Sequence, residues 1–258
     1  WRYPLISFAS VLGMICLWAL ITGTGMVSSR VLPSPGIVLA QAGHILRNGY
    51  ADNSLLVHIG WSLFRATSGF LLGIALAIPV GLLMSYNKTI GAITQPIFGF
   101  FRPIPPIAFI PLMIVWFGIG ETSKILLIFA ASFNYTVLNS AAGMRSVPEQ
   151  LIRAGTNLGL TRWQLFTKIQ LPGALPYVFP AALPAILTGV KTSAAVSWAV
   201  LVAAELIAAQ AGLGFIITDA GTFFRISDVF IGILIIGVIG LCIEFLITAF
   251  ERRLLHWQ

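Results

Sequence analysis

Six apolar runs, each long enough to cross a hydrocarbon layer, occupy most of this chain and constrain it more than any other feature. They cover about residues 5–27, 56–86, 93–117, 124–144, 177–209 and 229–250. A helix needs about 20 apolar residues to span a bilayer, whereas a barrel strand would show alternation over about ten. The runs here are continuous and rich in Leu, Ile, Ala and Gly, so the reading is an all-α polytopic membrane protein. Composition agrees: 9% of the 258 residues are charged and 58% are hydrophobic, against roughly a quarter charged in a soluble domain. The first run is too long for the core of a cleaved leader and lacks a small-x-small site, so it reads as an uncleaved span.

The third run contains Pro96, Pro103, Pro105, Pro106 and Pro111 and cannot be one regular helix, since each proline removes a backbone donor and clashes with the preceding turn. Irregular backbone at membrane depth is tolerated where protein or a water-filled path covers it. The stretch Arg102–Pro106 is therefore either an interface turn or the wall of a pathway. Residues 36–48 repeat apolar positions at helical spacing and read as an amphipathic helix. Residues 118–124 read as a short turn and 212–228 as a Gly-rich interval. The sequence GIGETSK at 118–124 lacks the second glycine of a phosphate loop, and no other nucleotide motif is present. Cys16 and Cys242 lie in separate apolar runs without metal-ligand spacing, and are read as free, buried thiols.

The 15 Lys and Arg exceed the 8 Asp and Glu, yet they are scattered between apolar runs rather than gathered in a stripe, which argues against nucleic acid. With both termini on one side, that side collects Arg2, Lys88, Arg102, Arg145, Arg153, Arg162, Lys168, Arg252 and Arg253. The other side, with the outer thirds of the spans, holds Arg30, Arg47, Arg65, Lys124 and Arg225, and Lys191 lies within a span. The positive-inside rule then predicts cytoplasmic termini. It also places the one long polar interval, residues 145–172, in the cytoplasm.

That interval reads as two short helices. Ser146 and Glu149 have the spacing of a capping box, Gly159 supplies a left-handed stop, Thr161 and Gln164 repeat the box, and Pro172 closes the second helix. Leu151, Ile152, Leu158, Trp163 and Phe166 are its candidate apolar contacts. Gly159 is followed ten residues later by Ile169, then Gln170, Leu171 and Pro172, and six residues before Gly159 stand Arg153, Ala154 and Gly155. This resembles the motif E-A-A, three residues, G, nine residues, I-x-L-P of permeases in ATP-binding-cassette importers. Arg153 takes the place of the acid and Gly155 that of the second alanine.

LPSP at 32–35, FRPIPPIAFIPLMIVWFGIGETSK at 101–124, LPGALP at 171–176 and SWAVLVAAELIAAQAGLGF at 197–215 extend the likeness over nearly the whole chain. They resemble the subfamily for taurine, aliphatic sulfonates, nitrate and bicarbonate. The likeness to its taurine branch is greatest across 111–124 and 201–207. The resemblance implies the type I importer permease fold, in the bacterial inner membrane, as a homodimer working with two cytoplasmic ATPase subunits and an external substrate-binding protein. ATP and Mg would be bound by the partner subunits, and this chain would carry no cofactor, metal or catalytic residue. The ATPase-coupling residues it implies are Arg153, Ala154, Gly155, Leu158, Gly159, Arg162, Trp163, Ile169, Leu171 and Pro172.

Charges inside spans default to functional candidates because they are costly there. Lys191, Arg65 and Arg102 are candidates for meeting an anionic or zwitterionic solute. The alternative for Lys191 is an ion pair with Glu205 or Glu244, or extension to the interface. Glu205 is a candidate organiser of the 212–214 turn. Asn134, Ser193, Ser197 and Trp198 are candidate path residues or, equally, helix-packing residues. The expected cargo is taurine or another small sulfonate, with nitrate or bicarbonate as the alternative. A secondary transporter is the remoter reading, since no inverted repeat is visible. An intramembrane enzyme would need a nucleophile–base or metal set that the sequence does not offer.

Overall fold

The computed structural model describes residues 2–145, 149–166, 179–206 and 209–254. The described residues form eleven α-helices and one 3-10 turn, with no strands among them. In order these are α1 (Arg2–Gly23), α2 (Pro35–Asn48), α3 (Leu55–Tyr86), α4 (Lys88–Phe101), a 3-10 turn (Pro106–Phe109), α5 (Ile110–Phe117), α6 (Glu121–Arg145), α7 (Glu149–Asn157), α8 (Arg162–Leu165), α9 (Phe179–Glu205), α10 (Leu213–Thr222) and α11 (Ile226–Leu254). Helices α1, α3, α6, α9 and α11 each contain a stretch long and apolar enough to cross a membrane.

A bent pair, counted as one span, gives a sixth candidate crossing. Thr89–Phe101 and Pro106–Phe117 meet at 90°. Pro96 lies inside α4 and Pro111 in the first turn of α5, and neither breaks its helix. The break falls at residues 102–105, where Pro103 and Pro105, with Pro106 directly after them, leave too few donors to carry a helix through. Two expected non-helical intervals are shorter than the sequence suggested. The 118–124 turn ends at Glu121, where α6 begins, and 212–228 contains α10. In each case a polar or Gly-rich helix start resembles a loop in composition alone.

The chain divides into two compact units, Trp1–Ser62 with Ala208–Ile239, and Leu63–Ile207 with Gly240–Gln258. The first unit packs α2, the start of α3, α10 and the first part of α11 around Val38, Ile45, Leu55, Leu213, Ile216 and Ile231. Its polar interior holds several hydrogen bonds that tie α3 to α10. His58 accepts from the Gly212 N–H at 3.1 Å through Nδ1, and its Nε2 faces the Tyr50 carbonyl at 3.0 Å. Ser62 Oγ accepts from the Leu213 N–H at 2.8 Å. These two side chains, one turn apart on α3, hold the start of α10, where Gly212 has φ +140°. Tyr50 Oη donates to Asp219 at 2.7 Å, and Arg225 donates to Asp219 at 2.8 Å. Burial, reinforced by the bond to Asp219, pushes the Tyr50 phenol far above its ordinary value.

The second unit is built on close helix contacts. Gly69, Gly73, Ala77 and Gly81 recur every four residues and form one stripe of α3. A Cβ on Gly69 would lie 2.7 Å from Ile128, and one on Gly81 would lie 2.5 Å from the Val137 carbonyl oxygen. Small residues at this spacing let two membrane helices approach until backbones touch. Ser132 Oγ to the Gly69 carbonyl (3.3 Å) and Ser85 Oγ to the Ala141 carbonyl (2.8 Å) bond across the same α3–α6 seam. On α9, Gly189 sits against Asn139 of α6, and Trp198 fills the space over Gly240 of α11. Cys16 and Cys242 are free but exposed rather than buried. Apolar runs at membrane depth face lipid as well as core.

Candidate coupling elbow and membrane polar cluster

Helices α7 and α8 form the elbow expected from the sequence. Gly159, at φ +77°, ends α7. The Leu160 N–H reaches back to the Gly155 carbonyl at 3.1 Å, the six-to-one closure that a left-handed glycine permits. Thr161 and Gln164 cap α8 reciprocally: the Thr161 N–H donates to Gln164 Oε1 at 2.9 Å, and the Gln164 N–H donates to Thr161 Oγ1 at 3.2 Å. Ser146, Lys168, Ile169, Leu171 and Pro172 lie outside the described residues, as do the side chains of Leu151 and Arg162.

The apolar residues of the elbow divide into two groups. Phe166 is buried and packs on Tyr86 at the end of α3, ring centroids 4.6 Å apart. Trp163 meets Tyr86 edge-on at 5.9 Å yet stays 59% exposed. Leu158 is 81% exposed. Gly155 is buried, whereas Ala154 faces outward. Arg153 donates to Glu149 at 3.0 Å, one turn earlier on α7, with both groups largely solvent-exposed. The acid missing from the motif position thus reappears as that arginine's own partner.

A buried ionic cluster ties together three spans of the same unit. Arg65 of α3 is 2% exposed and donates through Nε and Nη2 to both oxygens of Glu121, the Nη2 bond being 2.8 Å. Its Nη1 donates to Glu205 of α9 at 2.7 Å. Lys124 donates to Glu121 at 3.0 Å. Two cations face two carboxylates, the only form in which so many charges are tolerated away from water. Arg65 is therefore committed to internal partners. Neither Glu121 nor Lys124 was a candidate from sequence. The available signal was charge balance: two acids and two bases within or at the ends of three apolar runs.

Lys191 is half-buried and lies 3.8 Å from Glu251, a pairing different from the Glu205 or Glu244 expected from sequence. Arg102 lines a cleft of about 830 Å³ with Gln95, Gly99 and Arg145. Asn134 lines a separate, aromatic cavity of about 330 Å³ with Phe98, Phe109, Trp116 and Phe133. Its Oδ1, and the hydroxyls of Thr136, Ser140 and Ser197, are buried without a hydrogen-bond partner among the described residues. Ser193 instead bonds its own helix, donating to the Val190 carbonyl at 2.9 Å.

Residues 69–256 match the family described as binding-protein-dependent transport system inner membrane component. The chain is 39% identical to the taurine transport system permease protein TauC of Escherichia coli K12, the match covering all of this chain and 93% of that one. It is 35% identical to SsuC of Bacillus subtilis, a permease named for aliphatic sulfonates transport, over 95% of this chain and 84% of that one. Among solved structures, a chain of the inward-facing MetNI methionine ABC transporter superposes with a TM-score of 0.61. It is 20% identical and covers 77% of this chain and 95% of that one.

Proposed function

The chain belongs to the family of binding-protein-dependent transport system inner membrane components, and we propose that within it this permease carries taurine or another small sulfonate inward. It is a multi-pass inner-membrane permease of the ATP-binding-cassette importer type and not itself an ATPase. On this reading two copies form the path, two cytoplasmic ATPase subunits bind ATP and Mg and drive it, and an external binding protein delivers the solute. Both termini face the cytoplasm.

The observation that carries the drive mechanism is the division of the elbow. Phe166 holds it to the end of α3, while Leu158 and Trp163 are left facing outward beside Arg153. An amphipathic elbow fastened at one residue and exposing apolar surface at another is suited to a groove on another protein. ATP-driven movement of the partners would reach α3 through the Tyr86–Trp163–Phe166 stack. The unpaired polar atoms of Asn134, Thr136, Ser140 and Ser197 support a path along α6 and α9, since a passing solute or water can satisfy them.

Reconstitution with the ATPases and binding protein tests the assignment. ATP-dependent uptake of labelled taurine is expected. Vesicles that import nitrate but not taurine would refute the sulfonate reading while leaving the importer reading intact.

A further inference from the structure

A cleft in the second unit has an electrostatic character that its neighbours do not share. It opens between α4 and the ends of α3 and α6, has a volume of about 830 Å³, and is lined by Met84, Gln95, Gly99, Arg102, Ala142 and Arg145 among others. Among the described residues, no carboxylate pairs with Arg102 or Arg145. The acids elsewhere in this unit that do pair are committed: Glu121 and Glu205 to Arg65, Glu149 to Arg153, and Glu251 to Lys191.

The third polar group is also a donor. Arg145 Nη2 donates to Gln95 Oε1 at 3.0 Å. That bond fixes which way the amide faces, so the Gln95 NH₂ remains free to donate. Two guanidinium groups and an amide NH₂ therefore line one cavity with no competing anion among the described residues. Guanidinium forks match the tetrahedral oxygens of sulfonate and phosphate better than any other side chain.

We propose that this cleft is an oxyanion-binding site, taking one sulfonate or phosphate group on Arg102, Arg145 and Gln95. The group comes either from a free solute or from the headgroup of an anionic lipid. The inference rests on the geometry of the cleft and not on the transported solute, so binding and uptake can be tested separately.

Gly99 supplies a blocking variant that leaves both arginines in place. A Cβ built there meets nothing within 4 Å, and Gly99→Leu would extend into the cleft. The test uses the permease purified in detergent and delipidated. Its thermal midpoint is titrated with methanesulfonate against chloride at equal ionic strength, and retention of phosphatidylglycerol added back to the delipidated protein is measured in parallel by mass spectrometry. Wild type should show saturable protection by methanesulfonate, retained phosphatidylglycerol, or both. Methanesulfonate alone assigns the free solute, and the lipid alone assigns the headgroup. Arg102→Gln with Arg145→Gln, and Gly99→Leu separately, should each weaken the observed binding at least tenfold. If the double variant fails to fold, Gly99→Leu decides. Absence of both signals in wild type, or binding unchanged in Gly99→Leu, overturns the proposal.

Discussion

Replacing Glu205 by Gln should cost this protein more stability than any other single isosteric change in the second unit. The substitution keeps the side chain's volume, so packing is preserved and only charge is lost. Glu205 is fully buried and holds Arg65 at 2.7 Å. Without its charge, Arg65 and Lys124 face Glu121 alone, leaving one excess cation in a site where Arg65 is 2% exposed. Removing one partner of a buried ion pair typically costs about 3–5 kcal/mol. Glu121 is 38% exposed on its side chain, so solvent screens part of the field and the low end applies, about 3 kcal/mol. That is about a hundredfold in the folded-to-unfolded ratio. Adding Lys124→Gln restores neutrality, with Arg65 against Glu121, and should recover about 1 kcal/mol of the loss, so the two substitutions should be non-additive. The assay is an SDS unfolding titration of purified protein followed by tryptophan fluorescence. A Glu205→Gln change within about 0.5 kcal/mol of wild type, or strict additivity in the double variant, would refute the buried-cluster account.

Three further outcomes follow from the packing and the hydrogen bonds. Gly81→Ala should lower the thermal midpoint markedly, because its Cβ meets the Val137 backbone oxygen at 2.5 Å, a neighbour that cannot rotate away; overpacking of this kind costs about 1–3 kcal/mol. Gly60→Ala, where a Cβ meets nothing within 4 Å, is the control and should leave the same midpoint unchanged or slightly raised. For Tyr50 the folded-state value is raised, so its contribution is fully present below the ordinary phenol range near pH 10 and is lost as pH rises above it. Melting midpoints of wild type and Tyr50→Phe should therefore differ by a constant amount from pH 6 to 9 and converge only in stronger alkali.

The spans were legible because a bilayer demands about 20 apolar residues in a row, a signal that local sequence carries directly. The elbow was legible for a similar reason: Gly159 and the Thr161–Gln164 box are local devices, and both have the geometry their sequence implied. Partners distant in sequence were not legible. Arg65 finds Glu121 and Glu205 across intervals of 56 and 140 residues, and nothing local distinguishes a lone membrane arginine facing a solute from one neutralised by two spans. The Gly69–Gly73–Ala77–Gly81 stripe is present in the sequence as a four-residue period, but the helix it packs on is not marked there. Lys191 shows the limit of pairing by hydrophobic depth. Glu205 and Glu244 lie nearer in sequence, yet Glu251 is the acid it approaches.

The central claim is that α7 and α8 transmit ATP-driven movement to the spans through a face kept free for a partner. The most direct measurement is co-purification of the ATPase subunits with Leu158→Asp permease, beside ATP-dependent taurine uptake in reconstituted vesicles. Leu158 projects outward at 81% exposure, so the variant should keep the wild-type thermal midpoint while losing ATPase association and uptake together. A variant that binds the ATPases and imports taurine as wild type does would contradict the account.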